Sequence, residues 1–192
     1  MTVLVVATGN PGKLKEMQAY LTDGAWELRL KPTELEVEET GSTFAENACL
    51  KASQVAQATG QWAIADDSGL AIAALGGAPG IYSARYAATE SACIERVLQE
   101  LAGAPNRTAH FVCVIAIARP DGAIVAQAEG ICAGEILTAP RGQGGFGYDP
   151  IFLVPEHQQT FAEMSPDLKQ AISHRGLAFE LLRPQLTQLG LP

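Results

Sequence analysis

The chain has 192 residues, of which 47% are apolar and 18% charged, and its formal net charge is −8 at neutral pH. This length and composition suit one domain over residues 1–192, with a sizeable core and two lobes. The negative charge disfavours binding to nucleic acid, and no apolar stretch could span a membrane. The four cysteines are widely spaced without a Cys-x-x-Cys pair, which favours reduced thiols in a cytoplasmic protein over a zinc site.

Hydrophobic periodicity and turn residues predict helices alternating with strands in the first half of the chain. The predicted elements are a strand over 2–8, a turn over 9–12, a helix over 13–21, a strand over 26–30, an acidic loop over 33–41, a helix over 44–58 opened by a Thr43–Glu46 capping box, a buried strand over 62–65 and a helix over 90–101. Asn47 and Lys51, four residues apart, share one face of their helix.

The second half is predicted to contain a hairpin. The predicted elements are strands over 108–119 and 123–133 joined through Pro120-Asp121-Gly122, a glycine-rich loop over 142–147, a strand over 151–154, and a helical region capped at Ser165-Pro166 that breaks near Gly176 and resumes to Leu189. Interleaved helices and strands followed by a late hairpin predict an α/β fold with a mixed sheet flanked by helices, in two lobes.

Adjacent carboxylates, Asp66 and Asp67, follow the buried run 62–65 directly and are expected at its exit. Such a pair is costly to desolvate unless lysines or a divalent metal lie opposite it. Glu38 and Glu39 offer further hard oxygen ligands, which suits Mg²⁺. An ordinary acidic surface with a Ser-Gly turn is the alternative.

Residues 8–13, Thr8-Gly9-Asn10-Pro11-Gly12-Lys13, follow a strand and open a helix. Backbone N–H groups, the helix dipole and the charge of Lys13 could together hold a phosphate, although the spacing does not fit a Walker A loop. A plain strand-to-helix turn is the alternative.

The glycines of 142–147 spell G-x-G-x-x-G, but a strand follows instead of a helix, which excludes a dinucleotide fingerprint. The loop could let a ligand approach the backbone and stack on Phe146 or Tyr148, or could be a mobile surface loop. On the late helical region, Lys169, His174 and Arg175 could read the polar edge of a ligand, although such residues usually mark a surface helix.

Together these segments resemble the inosine triphosphate pyrophosphatase family. The matching stretches are 7–13, 38–48, 65–70, 76–86, 144–152 and 172–176, which occur in the family's order along nearly the whole chain. The resemblance implies an inosine triphosphatase-like fold with a cleft between two lobes, a homodimer and a Mg²⁺ cofactor. It also implies hydrolysis of the deaminated purine nucleotides ITP, dITP and XTP to a nucleoside monophosphate and pyrophosphate, which removes them from the nucleotide pool.

The resemblance also implies a role for individual residues. Loop 8–13 and Lys51 would bind the triphosphate, Glu39 and Asp67, with Glu38, would hold Mg²⁺, and Asp67 would activate the water. Ser68 would contact the nucleotide, and the residues expected to hold the base and sugar are Phe146, Gly147, Tyr148, Asp149, Lys169, His174 and Arg175. Two alternatives remain: a broader hydrolase that releases orthophosphate, and a regulator that binds nucleotides without turnover.

Overall fold

The computed structural model describes residues 2–21 and 26–189 and has an α/β architecture. The strands are β1 (Thr2–Val6), β2 (Trp26–Leu30), β3 (Trp62–Ile72), β4 (Thr108–Ala118), β5 (Ile124–Ile136), β6 (Phe152–Val154) and β7 (Gln159–Thr160). The α-helices are α1 (Pro11–Tyr20), α2 (Phe44–Thr59), α3 (Glu90–Glu100), α4 (Pro166–Ile172) and α5 (His174–Gln188). Short 3₁₀ helices cover Ala73–Leu75, Gly80–Arg85 and Asp149–Ile151.

The strands of the described residues form one seven-stranded sheet in the order β2-β1-β3-β4-β5-β6-β7. It is mixed, because β1 pairs in parallel with both β2 and β3, whereas β6 pairs antiparallel with β5 and β7. The crossovers that join the parallel strands contain helices, which is the usual connection between parallel strands. The predicted α/β fold with a mixed sheet flanked by helices is confirmed.

Local capping signals place the helix starts correctly. The Thr43 hydroxyl accepts a hydrogen bond from the N–H of Glu46 at 3.1 Å, as expected for an N-cap. The Glu46 carboxylate accepts in return from the N–H of Ser42 at 2.6 Å, one residue before the position that a capping box prescribes. The Ser165 hydroxyl caps α4 in the same way, through the N–H of Leu168 at 3.2 Å.

The prediction that the buried strand ends before the acidic pair is wrong. β3 has 11 residues and continues through Asp66, Asp67 and Ser68 to Ile72. The two carboxylates can lie within a strand because successive side chains point to opposite faces and each carboxylate meets its own lysine.

The predicted break in the last helical region is also displaced. The chain leaves the helix at Ser173, whose backbone is extended at φ −70° and ψ 158°, so α5 begins at His174 and includes Gly176. The Ser173 N–H still donates to the carbonyl of Lys169 at 2.9 Å, which closes the last turn of α4. His174 and Arg175 therefore lie in the first turn of a helix.

The chain forms two compact units, each assembled from separate segments. The first unit contains Met1–Asp67, Cys113–Gly130 and Arg175–Pro192, and the second contains Ser68–Val112 and Ile131–His174. Each unit has its own apolar core: Leu4, Ile64, Ile115 and Phe179 belong to the first, and Leu70, Val97, Phe111, Phe152 and Phe161 to the second. That residues 1–192 act as a single domain stays a prediction.

Candidate functional site

The acidic pair on β3 lies among three cations of the first unit. The Asp66 side chain is completely buried, and its Oδ2 accepts from Lys13 Nζ at 2.9 Å and from Arg175 Nη2 at 3.0 Å. Asp67 Oδ1 accepts from Lys51 Nζ at 2.9 Å. The two carboxylates of β3 thus have different partners: Asp66 binds Lys13 and Arg175, and Asp67 binds Lys51.

Glu39, Lys51 and Asp67 form a second group of charges, which we call the Lys51 cluster. The ammonium of Lys51 donates to Glu39 Oε1 at 2.8 Å and to Asp67 Oδ1 at 2.9 Å. Two carboxylates thus share one ammonium in a largely buried place. Such a place favours a further cation.

The pKa values in the Lys51 cluster follow from burial and these charges. Burial raises the pKa of Asp67 above its ordinary value, and the charge of Lys51 opposes that rise. Burial alone would lower the pKa of Lys51, but Asp67, Asp66 and Glu39 together raise it. The lysine therefore stays cationic, and the basicity of Asp67 exceeds that of an exposed aspartate.

Asn47 on α2 connects the acidic loop to Asp67. Its Oδ1 accepts from the N–H of Gly41 at 2.8 Å, and its Nδ2 donates to Asp67 Oδ2 at 3.3 Å. A Cβ on Gly41 would lie 2.7 Å from Asn47 Oδ1, so only glycine allows this approach without displacement. Asn47 thereby holds both the loop that carries Glu39 and the carboxylate it faces.

The loop before α1 is closed by its own side chains. Asn10 Oδ1 accepts from the N–H groups of Gly12 at 2.8 Å and Lys13 at 3.2 Å, and Thr8 Oγ1 accepts from the N–H of Asn10 at 3.1 Å. Asn10 is thus the N-cap of α1, with Pro11 as the first helical residue. The N–H groups of Asn10, Gly12 and Lys13 are therefore engaged within the loop, whereas the ammonium of Lys13 offers a positive charge at this helix start.

The chemistry of the carboxylates fits a magnesium ion that is shared with a substrate. Among the described residues there is no cluster of three or more His, Cys, Asp or Glu side chains suited to a metal. Mg²⁺ is commonly bound by one or two carboxylates together with substrate phosphates, and Glu39 and Asp67 supply such a pair. Glu38, in contrast, is exposed.

Other predicted binding residues lie in the second unit, around Asp149. Its Oδ2 accepts from Lys169 Nζ at 2.7 Å and from the N–H of Phe146 at 2.9 Å. The Lys169 ammonium lies 4.9 Å from the centre of the Phe146 ring, within the range of a cation–π contact. Gly145 has a positive φ of 71°, and a Cβ there would lie 1.9 Å from Asp149 Oδ2.

Tyr148 and His174 are buried in the second unit. The Tyr148 hydroxyl donates to the carbonyl of Ser83 at 2.8 Å, and the Ser83 hydroxyl accepts from the N–H of Leu70 at 2.9 Å. The His174 ring stacks on Phe111, with ring centres 4.6 Å apart and an angle of 11° between the planes. Ser68, the first residue of this unit, is half-buried on β3.

The structure brings some of the predicted residues together and separates others. Lys51, Glu39 and Asp67 form one cluster, and Phe146, Asp149 and Lys169 form another. Arg175 does not share its surroundings with His174: its guanidinium binds Asp66 and Glu16 in the first unit. Gly147 also donates its N–H to Glu90 Oε2 at 3.2 Å.

Three residues at these sites received no individual role from the family resemblance: Asp66, Asn47 and Glu16. Asn47 could have been included, because it shares a helix face with Lys51. Glu16 lies three residues after Lys13 on α1, which is a neighbouring position on a helix. For Asp66 the signal was its adjacency to Asp67, but nothing local identifies its partners.

The chain belongs to the Ham1 family, whose family model matches residues 4–185. A relative from Nostoc sp., named dITP/XTP pyrophosphatase, is 67% identical over 187 residues, which cover 97% of this chain and 95% of the relative. The solved structure of a HAM1 protein from Coxiella burnetii is similar with a TM-score of 0.88 and 48% identity, covering 98% of this chain and all of that one.

The Ham1 protein of Staphylococcus aureus is also similar, with a TM-score of 0.86 and 42% identity over 98% of this chain and 99% of that one. The family resemblance predicted from the motifs is thus confirmed over nearly the whole chain. In the described part of the chain, every helix is too short or too polar to cross a membrane.

Proposed function

We propose that this chain is a Mg²⁺-dependent pyrophosphatase that converts ITP, dITP and XTP to the nucleoside monophosphate and pyrophosphate. Full-length relatives named dITP/XTP pyrophosphatase support the reaction. The observation that carries the proposal is the Lys51 cluster, because its two carboxylates and one ammonium suit a divalent cation that also binds phosphate.

The residues of the first unit would handle the triphosphate. The ammonium groups of Lys13 and Lys51 offer charge to the phosphate oxygens, and Glu39 and Asp67 would hold Mg²⁺. Mg²⁺ bound there would supply positive charge to the phosphate oxygens and to the departing pyrophosphate. Since Glu38 is exposed and Glu39 contacts Lys51, we assign Glu39 as the ligand and Glu38 as a neighbour that adds negative charge.

Asp67 would act as the general base. Its carboxylate takes a proton from water, the water oxygen bonds to the α-phosphorus, and the bond from that phosphorus to the bridging oxygen of the leaving pyrophosphate breaks. The raised pKa of Asp67, caused by burial, suits this role because it brings the basicity of the carboxylate closer to neutral pH. Asn47 and Lys51 keep the carboxylate oriented.

The residues of the second unit would bind the nucleoside. Phe146 is half-buried and offers a ring face for a purine, while Asp149 and Lys169 fix the backbone and one side of that ring. The hydroxyl of Tyr148 is engaged with Ser83, which favours a supporting role for this residue. Selection of a 6-keto purine would come from donors aimed at O6, since an adenine amino group would leave them unpaired.

Product analysis tests the proposal. The protein is incubated with ITP and Mg²⁺, the nucleotides are separated by chromatography, and pyrophosphate and orthophosphate are assayed separately. We expect IMP and pyrophosphate in equal amounts, and loss of turnover when a chelator removes the metal. IDP with orthophosphate would identify the broader hydrolase, and binding of ITP without any product would identify the regulator. That the protein is a cytoplasmic homodimer stays a prediction. Sedimentation of the purified protein tests whether it forms a dimer.

A further inference from the structure

Lys13 stands at a position where a helix disfavours a cation. It lies in the first turn of α1, which contains no acidic residue, so the partial positive charge of the helix N-terminus repels its ammonium. The long lysine side chain also has considerable rotamer freedom. An ammonium in this place needs a counter-charge that fixes it.

Asp66 supplies this counter-charge from the interior. In the described part of the chain, the ammonium of Lys13 contacts one carboxylate, that of Asp66, at 2.9 Å. The Asp66 side chain is completely buried, whereas 16% of the Lys13 side chain is exposed. The ion pair therefore extends from a fixed interior anchor to an accessible cation.

We propose that Asp66 is a positioning residue that holds the ammonium of Lys13 in the place where it receives the triphosphate. This inference rests on the proposed function, because it takes Lys13 as a ligand of the phosphates. An ammonium has three N–H donors, and one bond to Asp66 leaves two for phosphate oxygens. Asp66 does not touch the substrate in this role and acts through Lys13.

Arg175 explains why Asp66 itself stays in place. Its guanidinium, which is 1% exposed, donates to the same Oδ2 at 3.0 Å and is also bound to Glu16 on α1. When the ammonium of Lys13 also donates to a phosphate oxygen, the guanidinium of Arg175 still neutralises the carboxylate of Asp66. A buried ion pair by itself is weak evidence that these residues serve only to stabilise the fold. The free energy lost when the charges are buried is about as large as the free energy gained from their attraction.

A double-mutant cycle tests the positioning role. KM and kcat for ITP are measured for wild type, D66N, K13A and D66N/K13A at saturating Mg²⁺. Because a hydrogen bond to a charged group contributes enough to change affinity about 10- to 100-fold, we expect each single variant to raise KM by that factor and to change kcat much less. In the K13A background, D66N should raise KM less than about threefold, since the residue through which it acts is gone.

K15A provides the matched control, because Lys15 is an exposed lysine on the same helix. It should leave KM unchanged, and D66N should raise KM as much in the K15A background as in wild type. Equal, additive effects of D66N in the K13A and K15A backgrounds would overturn the proposal. So would a D66N variant with wild-type KM.

Two further measurements keep the test decisive. If D66N does not fold, as judged by circular dichroism, D66E keeps the charge but displaces it by one methylene; we expect a raised KM, and a wild-type KM in D66E would contradict the positioning role. Calorimetry on the same set of variants also measures the Kd for inorganic tripolyphosphate. This measurement needs no turnover. Failure to cleave ITP would then reject the proposed function alone, whereas absent coupling in Kd would reject the role of Asp66.

Discussion

At the residue scale, the chemistry of this protein depends on how each buried carboxylate is neutralised. Asp66 has two cations on one oxygen, and burial, which by itself raises its pKa, is outweighed by Lys13 and Arg175, so that its pKa lies below the ordinary value. Asp67 shares Lys51 with Glu39, and its pKa is raised. Neighbouring aspartates on one strand therefore have different properties: Asp66 stays ionised, whereas Asp67 is the more basic of the two.

The first prediction concerns Asp67. The variant D67N keeps the shape of the side chain but loses its charge and basicity, so turnover of ITP should fall about 10²- to 10⁴-fold while nucleotide binding survives. Steady-state kinetics and calorimetry with ITP measure the two effects. D121N, which changes an exposed aspartate in the turn between β4 and β5, should keep wild-type turnover. If D67N retained more than about a tenth of the activity, Asp67 would not be the base.

At the element scale, short-range contacts place the ends of helices and loops that carry the site. Thr43 caps α2, the helix that presents Asn47 and Lys51 to Asp67. Asp149 binds back onto the loop that carries Phe146. Loss of the Thr43 cap should therefore affect the whole of α2, and loss of the Asp149 contact should affect the whole loop that carries Phe146.

T43A removes the N-cap of α2. Loss of such a cap costs about 1 kcal/mol, which corresponds to a decrease in Tm of about 2–4 °C for a chain of this size. Thermal unfolding followed by circular dichroism measures the change. T33A, an exposed threonine in the acidic loop, is the control and should shift the free energy of unfolding by less than about 0.5 kcal/mol. Equal melting curves for T43A and wild type would show that the cap contributes nothing.

G145A and G147A separate crowding from backbone strain in the glycine-rich loop. Both positions have positive φ, 71° and 58°, but only at Gly145 would a Cβ collide with Asp149, whereas at Gly147 it meets nothing within 4 Å. We expect G145A to lose about 1–3 kcal/mol more stability than G147A, the usual cost of overpacking. Urea denaturation gives the two free energies of unfolding. A G147A variant as unstable as G145A would assign the whole effect to φ.

At the scale of the whole molecule, each unit is closed by segments that are distant in sequence. The first unit gathers the N-terminal segment, the middle of the β4–β5 hairpin and α5 around one core. The second unit gathers the segments between them around another core. Contacts between distant segments make folding slow relative to that of a helical bundle of equal size.

The cysteines report whether these cores are intact. Burial raises the pKa of Cys132 to about 11 and that of Cys113 to about 12, so at pH 8 at most about one thiol in a thousand is the reactive thiolate. Iodoacetamide followed by mass spectrometry should therefore modify the half-buried Cys49 before the buried cysteines of the native protein. In guanidinium chloride all four should react. Rapid modification of Cys113 in the native protein would show that the first core opens.

The sequence by itself determined the elements whose signals are local and the family to which the chain belongs. The Thr43 and Ser165 caps, the 120–122 turn and β2 could be read directly, because capping and turn formation depend on residues within a few positions of each other. The ordered motifs likewise predicted the resemblance to inosine triphosphate pyrophosphatases, which the Ham1 family match confirms. Local patterns thus determined the α/β class and most of the helix starts.

Only the tertiary structure decided the course of β3 and the partners of its carboxylates. The local pattern predicts that the strand ends before Asp66, because two adjacent acidic side chains are unfavourable in an isolated apolar strand. The cations that make them acceptable come from distant segments: Arg175 is 109 residues from Asp66 in the sequence. Electrostatic compensation depends on distance in space, so the counter-ions of Asp66 and the separation of Arg175 from His174 follow from the fold and not from the local sequence.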